Sequence, residues 1–245
     1  MPIRAIRIPS KICGPPDSAN GGYICGLMAA ALGGDAEITL RKPVPLNTEM
    51  RIEPRNGPPG IVLMHGDDLI AEGNAADWPV YQVPRISFQM AARASLGSPA
   101  FHNHPFPTCF VCGPERDVQD GLRIFPGSIH LSGSDYFAAP WIPHDRLGNT
   151  NGILNEEFIW AALDCPTGFA GGFPTVGTLV TGRLGAKIVD EVRIGEKCIL
   201  LSWAQGVEGR KHHAACVLIG SDGNVKAQSH GTWIRLDSGA GEAAA

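Results

Sequence analysis

The spacing of hydrophobic positions changes several times along the chain, and each change marks an element. Ile3 to Ile8 alternates as a short strand and runs into the turn-rich Gly14-Pro15-Pro16-Asp17. Tyr23, Ile24, Leu27, Met28, Ala31 and Leu32 then recur at helical spacing, opened by Ser18-Ala19-Asn20-Gly21-Gly22 and stopped by Gly33-Gly34. Strand patterns follow at Ala36 to Arg41, Glu49 to Glu53, Ile61 to Met64 and Leu69 to Ala75, the last two joined by His65-Gly66-Asp67-Asp68. From Trp78 to Pro107 five prolines interrupt the pattern and leave room for one short helix at Phe88 to Ala94.

The second half repeats the order of the first. Cys109-Phe110-Val111-Cys112-Gly113 and Gly121-Leu122-Arg123-Ile124 lead into strand candidates up to Ala139. A helix at Leu154 to Asp164 comes next. Four long strand patterns close the chain: Leu179 to Val189, Lys197 to Gln205, His212 to Ile219 and Val225 to Leu236, with Ser221-Asp222-Gly223-Asn224 as the last hairpin turn. On the first of these strands, strict alternation puts Val180, Leu184, Ala186 and Ile188 on one face and Thr181, Arg183 and Lys187 on the other. Strand, helix and antiparallel meander, twice over, predict an α+β chain of two units, 1–80 and 108–237. They are joined by a linker at 81–107 and followed by a small-residue tail, 238–245, read as disordered.

The second helix carries the most chemistry. Asn155 stands at its N-cap, Glu156 and Glu157 occupy the first turn where the helix dipole favours carboxylates, and Pro166 should end or kink it. Asp164 lies near the far end, in apolar company and at the unfavourable end of the dipole. Such a carboxylate must reach solvent, cap the Thr167-Gly168 turn, or be paired and shifted in pKa.

Composition narrows the classes. The net charge of −4 comes without dense Lys/Arg runs, which argues against a nucleic-acid or polybasic membrane surface. No apolar run spans a bilayer and the amino end lacks a signal-peptide pattern, so a soluble cytoplasmic protein is expected. Seven cysteines, four of them inside apolar runs, read as reduced buried thiols. Cys109-x2-Cys112 with His102 and His104 nearby is a zinc pattern, but it lacks a second Cys pair. Phe110 and Val111 look like strand residues, so packing is the expected role and no metal is assigned. Nucleophile-elbow, phosphate-loop and dinucleotide motifs are absent from the sequence.

Three stretches resemble the hotdog-fold thioesterase superfamily in its double-hotdog form. They are Asn20-Gly21-Gly22-Tyr23 with Gly26-Leu27-Met28-Ala29, Cys109 to Gly113 with Gly121-Leu122-Arg123, and Ala161-Ala162-Leu163-Asp164. The resemblance implies two antiparallel sheets, each wrapped around a central helix. It also implies an acyl thioester as substrate, with coenzyme A as part of it and no separate cofactor, and association into a homodimer. In single-hotdog relatives, one helix start gives a backbone amide to the thioester oxygen and the other helix gives an acid about nine residues beyond a His/Asn position. Here Asn20 plus nine is Ala29, whereas Asn155 plus nine is Asp164; Gly21-Gly22 stand in the first half, whereas Glu156-Glu157 take those places in the second.

The resemblance therefore implies one composite site: Asn20 and Gly22 from the first helix, Asp164 as base or nucleophile from the second. Gly21, Tyr23, Asn155 and Trp160 are expected to bind substrate, with Arg183, Arg210 and Lys211 toward the coenzyme A phosphates. Each has an ordinary alternative: close helix packing for the glycines, caps for the asparagines, solvated turns for the cations. A hotdog hydratase or dehydratase, and a non-catalytic acyl-CoA-binding module, stay open beside hydrolysis.

Overall fold

The computed structural model describes residues 3–237. The predicted disordered tail lies outside them. In chain order the elements are β1 (Arg4–Arg7), α1 (Gly21–Leu32), β2 (Ala36–Leu40), β3 (Glu49–Pro54), β4 (Ile61–His65) and β5 (Asp68–Ala75). They continue with α2 (Phe88–Ser95), β6 (Gly127–Leu131), β7 (Ser134–Trp141), α3 (Glu156–Ala170), β8 (Leu179–Ile188), β9 (Cys198–Glu208), β10 (Lys211–Ile219) and β11 (Val225–Arg235).

All the strands join one antiparallel sheet in the order β1-β3-β4-β5-β2-β8-β11-β10-β9-β7-β6. This corrects the expectation of two sheets. The seam is the pairing of β2 with β8, from Ala36 opposite Ala186 to Thr39 opposite Arg183, which satisfies two edges that separate sheets would leave open. α1 and α3 lie against the same apolar core and against each other, α1 over β2, β4 and β5, α3 over β8 to β11.

The back of the second half is covered as well. Ala91 of α2 joins Leu131, Ala138, Ile199, Leu201, Val217 and Ile219, with Tyr81, Val83, Ile86 and Phe88 packed on them. Along β9 the residues therefore alternate between two cores, Cys198 and Leu200 toward the long helices, Ile199 and Leu201 toward α2. This explains a strand that is apolar without interruption, and it makes residues 81–94 of the expected linker a cover for the sheet.

Three local expectations are corrected. α3 runs to Ala170, four residues past Pro166, so Asp164 sits in its middle and not at its end. Packing overrides the proline: Phe169 is fully buried, Gly168 fits against the Trp233 ring, and the Trp233 indole donates to the Thr167 hydroxyl at 2.7 Å. Asn155 stands at the N-cap of α3, but its side chain makes no capping bond. The Cys109–Gly113 segment is a turn rather than strand, closed by the Gly113 amide on the Cys109 carbonyl at 2.9 Å.

Candidate active site

α1 begins where its polypeptide touches α3. Asn20 caps it, its Oδ1 accepting the Tyr23 amide at 2.9 Å, and Gly33 closes it in the left-handed conformation. The two helices cross closely because α1 offers glycine at the contact. A Cβ on Gly22 would lie 2.5 Å from Asp164 Cβ, 2.6 Å from the Trp160 carbonyl oxygen and 2.8 Å from Ala161 Cα. One turn on, a Cβ on Gly26 would meet Glu157 Cα at 2.7 Å and Trp160 Cβ at 2.9 Å. Without side chains at these positions, the backbones approach to where an amide can reach a carboxylate.

That is what Gly22 does. Its amide donates to Asp164 Oδ2 at 2.8 Å, and the Thr181 hydroxyl donates to Oδ1 at 3.0 Å, with Oδ2 at 3.2 Å. Asp164 is 1 % exposed. Burial pushes its pKa up to about 7; the Thr181 hydroxyl and the Gly22 amide restrain the rise, and the Cys109 sulfur adds to it. The dipole at the start of α1 points its positive end at this carboxyl, which offsets part of the cost of burying it. A carboxyl of this kind can take or give a proton near neutrality.

Thr181 escapes the sequence pattern because alternation assigns it to the same face as Arg183. β8 pairs with β11 as Arg183 opposite Thr232 and Thr181 opposite Trp233, so Gly182 is an extra residue, a bulge. The bulge inverts the alternation and turns Thr181 toward α3 while Arg183 stays outside.

A cavity of about 680 Å³ opens on this junction. Asn20, Gly21, Asp164 and Thr181 line it, together with Phe106, Phe169, Phe173, Leu179 and Trp233. Arg41 and Lys42 also line it, held by Glu72 and Asp68 at 2.6 and 2.5 Å. Among the described residues, the Gly21 amide makes no hydrogen bond.

Of the residues expected to bind substrate, only Gly21 lines this cavity. Tyr23 packs on Phe158 with ring centroids 5.5 Å apart, and burial raises its pKa. Trp160 is buried against Gly26, and Asn155 donates its backbone amide to the Leu147 carbonyl. Arg183 pairs with Glu37 at 3.3 Å, Arg210 with Asp237 at 3.2 Å and Lys211 with Glu208 at 3.6 Å, all at the surface. The cations that reach the cavity, Arg41 and Lys42, directly follow β2, and their only signal in the sequence is a place at a strand end before Pro43.

Compared by sequence, no family model and no curated protein matches the chain. Solved structures match along nearly its whole length. The tesB protein of Mycobacterium avium subs paratuberculosis gives a TM-score of 0.64 at 10 % identity, over 96 % of this chain and 93 % of that one. The acyl-CoA thioesterase II TesB2 of Mycobacterium marinum gives 0.61 at 11 % identity, over 97 % and 94 %. A conserved protein of unknown function with a hot dog fold, from Alicyclobacillus acidocaldarius, gives 0.58 at 10 % identity, over 96 % and 93 %. The chain has the fold of these structures, a tandem hotdog.

Proposed function

We propose that the chain hydrolyses acyl thioesters, acyl-CoA among them, at one composite site where the amino end of α1 meets Asp164 of α3. The observation that carries this reading is the Gly22 amide at 2.8 Å from a buried carboxylate on the wall of a mainly apolar cavity. The thioester carbonyl is placed at the start of α1, where the Gly21 amide and the helix dipole suit a developing oxyanion. Asp164 takes a proton from water as it attacks the carbonyl carbon and returns it to the leaving sulfur, giving a carboxylic acid and a thiol. Phe106, Phe169, Phe173 and Trp233 suit the acyl or pantetheine chain, and Arg41 and Lys42 suit the phosphates of coenzyme A.

The test is thiol release from a panel of acyl-CoA esters of different chain length. Release from at least one ester is expected. Tight binding without release would replace this reading with an acyl-CoA-binding module, and addition of water to an enoyl ester without release would replace it with a hydratase. Two variants probe the arrangement. Thr181→Val removes a hydrogen bond to a buried charge and should lower kcat roughly tenfold, at a stability cost of about 1–3 kcal/mol read by thermal unfolding. Lys42→Ala should raise KM several-fold for coenzyme A esters while leaving KM unchanged for the same acyl group on a short thiol lacking phosphate.

A further inference from the structure

Cys109, Cys112 and Cys165 meet on the cavity wall, with their sulfurs all within 4.8 Å of one another. All seven cysteines are free and buried, so burial of a thiol is not itself informative here. What sets these three apart is that their sulfurs form one cluster; a facing N–H group is a feature that Cys112 and Cys165 share with Cys13, whose sulfur accepts from Arg116 Nη2 at 3.2 Å. His104 Nε2 lies 3.2 Å from Cys112 Sγ, and Asn20 Nδ2 reaches Cys165 Sγ at 4.0 Å. Thiols packed as small hydrophobes do not need such donors, whereas thiolates do. Three buried thiolates in contact would repel one another, so the arrangement calls for a cation among them.

The dimensions fit one. With zinc–sulfur bonds of about 2.3 Å in a tetrahedron, neighbouring sulfurs stand about 3.8 Å apart. Cys109 Sγ and Cys165 Sγ are 3.8 Å apart. Soft thiolate sets select zinc over the hard divalent ions. The orientation of His104 assigns its part. Its Nδ1 accepts the Phe106 amide at 3.0 Å, so the ring proton sits on Nε2 and points at the Cys112 sulfur. His104 is then a donor to a ligand and not a ligand.

We propose that Cys109, Cys112 and Cys165 bind one zinc ion through three thiolates, with His104 and Asn20 donating hydrogen bonds to the sulfurs and water as the fourth ligand. Binding releases the thiol protons, and the ion ties the Cys109–Cys112 turn to the middle of α3, beside Asp164. The Cys-x2-Cys turn and Cys165 are far apart in sequence, so only the fold completes the set.

The full-length protein, purified under reducing conditions without chelator, should carry about one zinc per chain by elemental analysis. After the zinc is stripped, titration with cobalt(II) should give thiolate-to-metal charge transfer and the intense visible bands of a tetrahedral ion, saturating at one equivalent. Cys165→Ser should abolish both signals, while Cys198→Ser and Cys216→Ser keep them. Should Cys165→Ser fail to fold, alkylation of wild type gives the same information: zinc should protect three thiols that the stripped protein exposes to reagent in mild denaturant. His104→Gln should hold one equivalent more weakly, and complete loss of metal in that variant would overturn the three-sulfur assignment. A wild-type chain that takes up neither zinc nor cobalt when fully reduced would overturn the site.

Discussion

Asp164→Asn is expected to lower thioester hydrolysis by about a hundredfold or more, the usual effect of losing a positioned proton acceptor, while leaving the fold in place. Asparagine can keep the Gly22 contact, since its Oδ1 accepts an amide as a carboxylate does, and the Thr181 hydroxyl can turn to accept from its Nδ2. Stability should move the other way from activity. Burial holds the Asp164 pKa above its unfolded value, at about 7. A carboxyl raised in this way stabilises the fold most below the unfolded value and less as pH rises through the folded one. Between about pH 4 and about pH 7 the wild type should lose stability relative to the asparagine variant, which has no proton to lose. Thermal unfolding of the two metal-free proteins across this range reads the difference. An asparagine variant that hydrolyses as fast as wild type would remove Asp164 from the chemistry.

Gly22→Ala should be strongly destabilising. On an open helix face, alanine gains about 1 kcal/mol over glycine. Here the added Cβ would fall 2.5–2.8 Å from Asp164 Cβ, the Trp160 carbonyl and Ala161 Cα, atoms of another helix that no rotamer change moves aside. Overpacking of this kind costs about 3 kcal/mol or more, so the sum is clearly unfavourable. The melting temperature should fall by roughly 5–10 °C. Whatever folded fraction remains should have lost hydrolysis, because separating the helices breaks the amide contact to the carboxylate. A variant as stable as wild type would mean that the helices do not approach as closely as described.

The parts of this site that are legible in the sequence are those set by spacing along one helix. Asn20, Gly21 and Gly22 open α1, and counting from Asn155 reaches Asp164. Each needs only the knowledge that a helix begins nearby. The element order is legible for the same reason, since periodicity is local and β8 to β11 are long. What depends on contacts between distant segments stays hidden. The seam between β2 and β8 joins residues about 150 positions apart, and strands patterned alike in two sheets or in one look the same in sequence. Alternation puts Thr181 on the wrong face because one extra residue at Gly182 inverts it, and nothing in Thr181-Gly182-Arg183 announces a bulge. Pro166 reads as a helix end because local preference is visible in the sequence and the burial of Phe169 against the sheet is not. Phe110 and Val111 resemble strand residues, yet prolines and a glycine on either side fold them into a turn that aims two thiols at α3. Surface cations illustrate the reverse error: Arg183, Arg210 and Lys211 carry the right charge, but each is engaged with a carboxylate away from the cavity.

The composite site is tested most directly by a crystal structure of the Asp164→Asn protein holding an intact acyl-CoA that the wild type cleaves. The thioester carbonyl oxygen is expected within hydrogen-bonding distance of the Gly21 amide, since the Gly22 amide is held by residue 164. The substituted side chain at position 164 should lie on the other side of the carbonyl carbon, with Arg41 and Lys42 toward the phosphates. A thioester bound away from the start of α1, with residue 164 out of reach of its carbonyl carbon, would contradict it.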